Sequence, residues 1–247
     1  MQDTHIWHQF HIHRKKIILL LPLFCLYFSD LQAQRNNTDN LPNYDNRWLH
    51  YGFSIGVHSS GYRMKYADNF TSPAFDSLHS VMAQNSFGFS LGLIANLRLA
   101  EFLDLRIMPE VVFYENRVDY NYIRDGQSVI DEQLVETTFV EFPVLFKYKS
   151  VRRGNTRMYL IGGIEPGIEA TGKKEEQDDS DKLLVNGTNL SLQVGFGLDV
   201  YFPLFKFAPE IRFSRGLMNM KNERENPYGA PIQSLVTNTV TLYLLFE

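Results

Sequence analysis

The sequence is poor in three things, and each scarcity excludes a class of protein. It has one cysteine in 247 residues, Cys25, within an N-terminal segment expected to be removed. The mature chain is therefore expected to lack thiol chemistry, disulfides and cysteine metal sites. Positive charge is not in excess: 24 Lys and Arg face 28 Asp and Glu, for a net charge of −4. That balance argues against a nucleic-acid partner. Long apolar runs are also wanting, since the run from Ile17 to Phe28 falls short of the ~20 residues a spanning helix needs. A mean hydropathy of −0.23 excludes a helical membrane protein, but not a barrel, in whose strands half the residues are polar.

What the sequence does have is alternation. From Leu190 to Phe202 the even positions are apolar, Leu190, Leu192, Val194, Phe196, Leu198, Val200 and Phe202, while the odd ones are polar, glycine or tyrosine. Period two marks a strand with one apolar and one polar face. After Pro203-Leu204 the apolar set moves to the odd positions Phe205, Phe207, Pro209, Ile211 and Phe213. A two-residue turn at Pro203-Leu204 keeps both sets on one face of a hairpin. The polar face is too charged for the core of a soluble sandwich, and the other is too apolar for water. A transmembrane β-barrel satisfies both; a secreted lipocalin-like barrel is the alternative, with the apolar face turned inward.

Similar parity marks eight strands between residues 47 and 247, and the expected fold is all-β: an eight-stranded antiparallel up-and-down transmembrane barrel. Long polar segments follow alternate strands, at roughly 59 to 84, 117 to 134, 171 to 188 and 216 to 234, with short turns between the others. That asymmetry is the pattern of external loops and periplasmic turns. Pro109, Pro143, Pro166 and Pro209 fall inside strands, where each deletes a ladder donor, so bulges or widened ladder positions are expected. Ahead of the barrel, Arg14, Lys15 and Lys16 precede the apolar run, and Ala33 precedes Gln34. This predicts a cleaved signal peptide over residues 1–33 and export to a Gram-negative outer membrane. Residues 34–46, rich in Asn, are expected to be a disordered lead-in.

Candidate chemistry is sparse. Gly52 to Gly56 and Gly88 to Gly92 both match G-x-S-x-G, but a nucleophile elbow needs a strand-to-helix turn that neither has. Ser54 and Ser90 therefore read as small lumen residues, no catalytic residue is assigned, and an acyl hydrolase or transferase stays as the alternative. The predicted lumen charges are Asp104, Arg106, Glu110, Glu141, Lys147, Glu165, Glu169, Asp199, Lys206, Glu210 and Arg212. Eight strands leave an interior that side chains just fill, so these charges should pair and close the barrel. Such a barrel cannot pass a folded protein. Lys149, Arg152 and Arg153 are a candidate periplasmic basic patch. The loop from Lys173 to Lys182 holds five acidic residues without EF-hand spacing, and reads as a solvated loop. No metal or other cofactor is assigned.

Four runs carry a resemblance. Thr138 to Ser150 (TFVEFPVLFKYKS) with Tyr159 to Ile164 (YLIGGI) looks like the outer-membrane β-barrel domain common in Bacteroidetes. Within that superfamily the Lys147-Tyr148-Lys149-Ser150 run, Asp199 to Ser214 and Tyr243 to Glu247 resemble the PorT/SprT proteins. The resemblance covers most of the mature chain. It implies a component of the type IX secretion and gliding-motility machinery, needed to export cargo with a C-terminal sorting domain. Its partners would be outer-membrane lipid and other secretion components. A generic small barrel for adhesion or membrane integrity is the remaining alternative.

Overall fold

The computed structural model describes residues 39–124, 126–170, 182–222, 224 and 226–247. The expected signal peptide and residues 173–181 of the acidic loop lie outside them. Among the described residues no helix is long and apolar enough to cross a membrane, and the regular structure there is almost all strand. There are eleven: β1 (Leu49–Tyr66), β2 (Leu78–Gln84), β3 (Ser86–Arg98), β4 (Leu103–Ile107), β5 (Glu110–Arg124), β6 (Gln127–Glu141), β7 (Val144–Lys149), β8 (Thr156–Glu169), β9 (Thr188–Tyr201), β10 (Lys206–Gly216) and β11 (Ile232–Phe246).

Three interruptions join these into eight staves, β2 with β3, β4 with β5, and β6 with β7. Pro109 and Pro143 cause two of them by lacking the N–H that would continue the ladder. Register is unaffected: Ala95 pairs Ile107 and Gly92 pairs Glu110 on one side, while Glu141 pairs Gly167 and Val144 pairs Ile164 on the other. Widened ladder positions rather than bulges therefore result. Pro209 lies within β10, whose ladder to β9 skips Ala208 and Pro209 and resumes in the same register. The third break, at Asn85, is a true one-residue bulge, since Gln84 pairs Arg117 but Phe89 pairs Phe113.

Each stave pairs antiparallel with its neighbours in sequence, and β11 returns to β1 through Phe246 opposite Phe53, so the sheet closes on itself. The Pro203-Leu204 turn forms as its parity requires, with Phe202 N–H donating to the Phe205 carbonyl at 2.9 Å. Outward positions of β3, Phe87, Phe89, Leu91 and Leu93, are exposed. The 13 residues of β3 run ~43 Å at ~3.3 Å each, enough at an ordinary tilt to cover an apolar band ~25 Å tall.

Two of the four segments expected to be long external loops, 59–84 and 117–134, are largely strand. β1 continues to Tyr66, β2 occupies part of 59–84, and β5 and β6 form one hairpin through Gly126, whose φ of +74° makes the turn. The reason lies in a reversal of polarity without a change of parity. Up to Phe113, β5 points apolar side chains outward and Glu110 inward; beyond it, Glu115, Arg117 and Asp119 point outward while Val118 and Tyr120 are fully buried inside. Tyr62, Val81, Val118, Tyr120, Ile232 and Leu235 then form an apolar core inside the upper barrel. The lower barrel is a membrane protein and the upper barrel is built as a soluble one.

Candidate functional site

The lower lumen holds the one concentration of chemistry in the described chain. Inward parity delivers Asp104 and Arg106 from β4, Lys147 and Lys149 from β7, Asp199 from β9 and Glu210 and Arg212 from β10, all buried. They pair across the interior. Arg106 binds Glu210 at 2.9 Å and Glu247 at 3.0 Å, Lys147 binds Asp199 at 2.8 Å, and Lys206 binds Glu247 at 2.8 Å. Arg212 pairs with Glu210 and lies 4.1 Å from the centre of the Tyr243 ring. Ile94, Met108, Leu145, Ile161 and Leu245 fill the space between the pairs. Of the predicted lumen charges only Glu169 is not buried; it sits half-exposed near the top of β8.

Above this network Glu110, Glu141 and Glu165 form a second group, with carboxylate oxygens within 4.8 Å of one another. Among the described residues no lysine or arginine is in ion-pair range of any of the three, so the expected pairing fails there. Hydroxyls reach them instead: Tyr243 donates to Glu110 at 3.0 Å, Tyr114 to Glu141 at 3.0 Å and Ser214 to Glu165 at 2.8 Å.

The candidate basic patch is not a patch. Lys149 points inward at the end of β7 and binds Asp104 at 2.6 Å, because its odd number puts it on the lumen face. Arg152 is taken up by the lead-in, and Arg153 alone is exposed. The lead-in is itself a correction, since its described part is ordered against the barrel mouth. Tyr44–Asn46 make a short 3-10 turn. The Asp45 carboxylate binds Arg157 at 3.0 and 3.1 Å and accepts from Tyr201 at 2.9 Å. Tyr44 stacks on His50 with ring centres 4.2 Å apart, and its hydroxyl reaches Glu247 at 3.3 Å. Burial pushes the Tyr44 phenol above its ordinary value. At the opposite end, on the outer wall, the Arg117 guanidinium bonded to Asp119 holds that carboxyl below the usual carboxylate range.

The two serines lie inside the wall, Ser54 and Ser90 both buried, and neither hydroxyl has a hydrogen-bond partner. His58 Nε2 is likewise unpartnered, so among the described residues no imidazole is engaged with either serine. Composition and motif gave no hint of Tyr44, Asp45 or Arg157. Tyr114, Tyr159 and Tyr243 were readable as inward by parity, but their role as donors to carboxylates emerges only when opposite walls are brought together.

A closed antiparallel barrel with an apolar belt and an ion-paired lumen is an integral protein of the outer membrane. Comparison places it more closely: residues 32–222 match the family model described as an outer membrane protein beta-barrel domain, and the chain belongs to that family. Comparison with curated proteins finds no match. Among solved structures the chain is similar to Neisserial surface protein A, with a TM-score of 0.41, 11% identity, and coverage of 81% of this chain and 98% of that one. It is also similar to the attachment invasion locus protein Ail of Yersinia pestis, with a TM-score of 0.33, 14% identity, and coverage of 79% and 96%. A third is OprG of Pseudomonas aeruginosa, with a TM-score of 0.37, 11% identity, and coverage of 79% and 92%.

Proposed function

We propose that this barrel is an accessory component of the type IX secretion system, required for export of cargo with a C-terminal sorting signal and, where present, for gliding motility. It is neither the conduit nor an enzyme. The observation that carries the reading is where the family-like runs fall. Lys147 to Ser150, Asp199 to Ser214 and Tyr243 to Glu247 contribute Lys147, Lys149, Asp199, Lys206, Glu210, Arg212 and Glu247, most of the buried lumen network. What resembles the PorT/SprT proteins is therefore the part that seals the barrel. A lumen occupied by paired charges supports action through surfaces, with lipid around the belt and other secretion components at the two ends.

The test is a deletion strain with complementation, scored for export of sorting-domain cargo, alongside crosslinking of tagged protein in intact outer membranes. Loss of export restored by the gene, with secretion components captured, supports the reading; normal export from the deletion strain contradicts it. The acyl-enzyme alternative has no imidazole engaged with Ser54 or Ser90 to recommend it.

A further inference from the structure

We propose that Glu110, Glu141 and Glu165 form a divalent-cation site inside the barrel, of the calcium class. The inference is independent of the secretion reading. It begins from a like-charge arrangement that the sheet imposes: Glu110 on β5 lies directly opposite Glu141 on β6, a cross-strand pairing that ordinarily destabilises. Glu165, on β8, brings a third carboxylate, and all three residues are at least 96% buried at 2, 3 and 4% exposure. Elsewhere in the lumen each buried carboxylate among the described residues has a cation. Among the described residues seven buried lumen carboxylates face five lysines and arginines, a deficit of two positive charges, which one divalent ion removes.

Donors reach all three carboxyl groups, and Glu141 and Glu165 also lie within hydrogen-bond reach of each other. Tyr243, Tyr114 and Ser214 all donate to them, and Gln193 donates its amide N–H to Glu165. Such donors stabilise the ionised form; a carboxyl buried without a cation otherwise gives up its charge by taking a proton, and a bound divalent ion is what would keep the three ionised together.

A second observation points to a ligand. Ser54 Oγ and Ser90 Oγ, on residues 2 and 1% exposed, have no hydrogen-bond partner. Ser54 Oγ and Glu110 Cβ both close on Gly92, where an added Cβ would stand 2.7 Å from the hydroxyl and 2.8 Å from Glu110 Cβ. Ser90 neighbours the same carboxylate, on the strand facing β5 through the Ser90–Val112 and Gly92–Glu110 pairs. A cavity of about 10 Å³ adjoins Glu141 between Ser60, Asn116 and Thr137, room for a single water. Carboxylates, hydroxyls and a water are an all-oxygen donor set of the number and variable geometry that calcium accepts more readily than magnesium.

The test uses the full barrel refolded from urea into detergent micelles with calcium, with magnesium or with chelator. Metal content is then measured after desalting, together with terbium emission excited through tyrosine, for which Tyr114 and Tyr243 are the adjacent donors. The expected result is retained calcium, an unfolding midpoint higher in calcium than in chelator, and terbium emission displaced by calcium. Glu141→Gln, which relieves the like-charge contact and should fold, is expected to weaken calcium binding more than ~10-fold. Glu136→Gln, on the outer wall, is expected to leave it unchanged. Wild-type barrel that holds no metal and unfolds identically in calcium and chelator overturns the proposal, as does Glu141→Gln binding calcium like the wild type.

Discussion

Glu247 binds Arg106 at 3.0 Å with one carboxylate oxygen and Lys206 at 2.8 Å with the other, its side chain wholly buried. The first contact ties β4 across the lumen to the residue that follows β11. The second reinforces a ladder in which Lys206 N–H and Glu247 N–H each donate to the other's carbonyl. Glu247→Ala leaves two buried cations short of a partner. Removing one member of such a network costs about 3–5 kcal/mol, so the urea midpoint of the refolded barrel should fall by that equivalent. Arg153→Ala, at an exposed position, should stay within about 0.5 kcal/mol of wild type.

The reversal of polarity along β5 makes a paired prediction. Val111→Arg puts a charge on the lipid face of the lower barrel and should cost about 2–4 kcal/mol. Val118→Asp buries a charge in the upper apolar core and should destabilise comparably or more, although Val111 and Val118 look alike by composition. Arg117→Ala, on the outer wall of the same strand, should be tolerated. Folding yield and urea midpoints in lipid vesicles compare the three.

The mouth plug should separate from the barrel. Asp45→Ala loses the Arg157 and Tyr201 contacts, and a hydrogen bond to a charged group is worth about 1.5–3 kcal/mol. Limited proteolysis should then cut near residues 39–46 in the variant and not in the wild type, while the barrel fragment survives.

Ser54→Ala and Ser90→Ala should leave export of sorting-domain cargo unchanged in the complemented deletion strain. A loss of export with correctly inserted barrel would revive the acyl-enzyme alternative.

Much of the fold was legible because a barrel strand has one rule, alternation, and residues such as Leu192 and Gln193 obey it over whole strands. Register followed from parity at Pro203-Leu204, and the lumen charges followed from the same count. What stayed hidden has physical causes. Beyond Phe113 the alternation continues with inside and outside exchanged, so Arg117 and Asp119 read as loop. Lys149 was assigned to a patch by its neighbours in sequence, whereas parity turns it toward Asp104. The plug formed by Tyr44 and Asp45 depends on partners more than a hundred residues away in Arg157 and Tyr201. Glu110, Glu141 and Glu165 were read as charges that would find cations, and only the arrangement of the walls shows that none stands beside them.

The sealed lumen is the claim on which the accessory role depends, and single-channel recording in planar bilayers tests it most directly. Purified barrel inserted into the bilayer should give no sustained conductance steps under applied voltage. Stable open steps from the wild-type protein would mean that the network joining Arg106, Glu210 and Glu247 does not close the path, and the barrel would have to be reconsidered as a conduit.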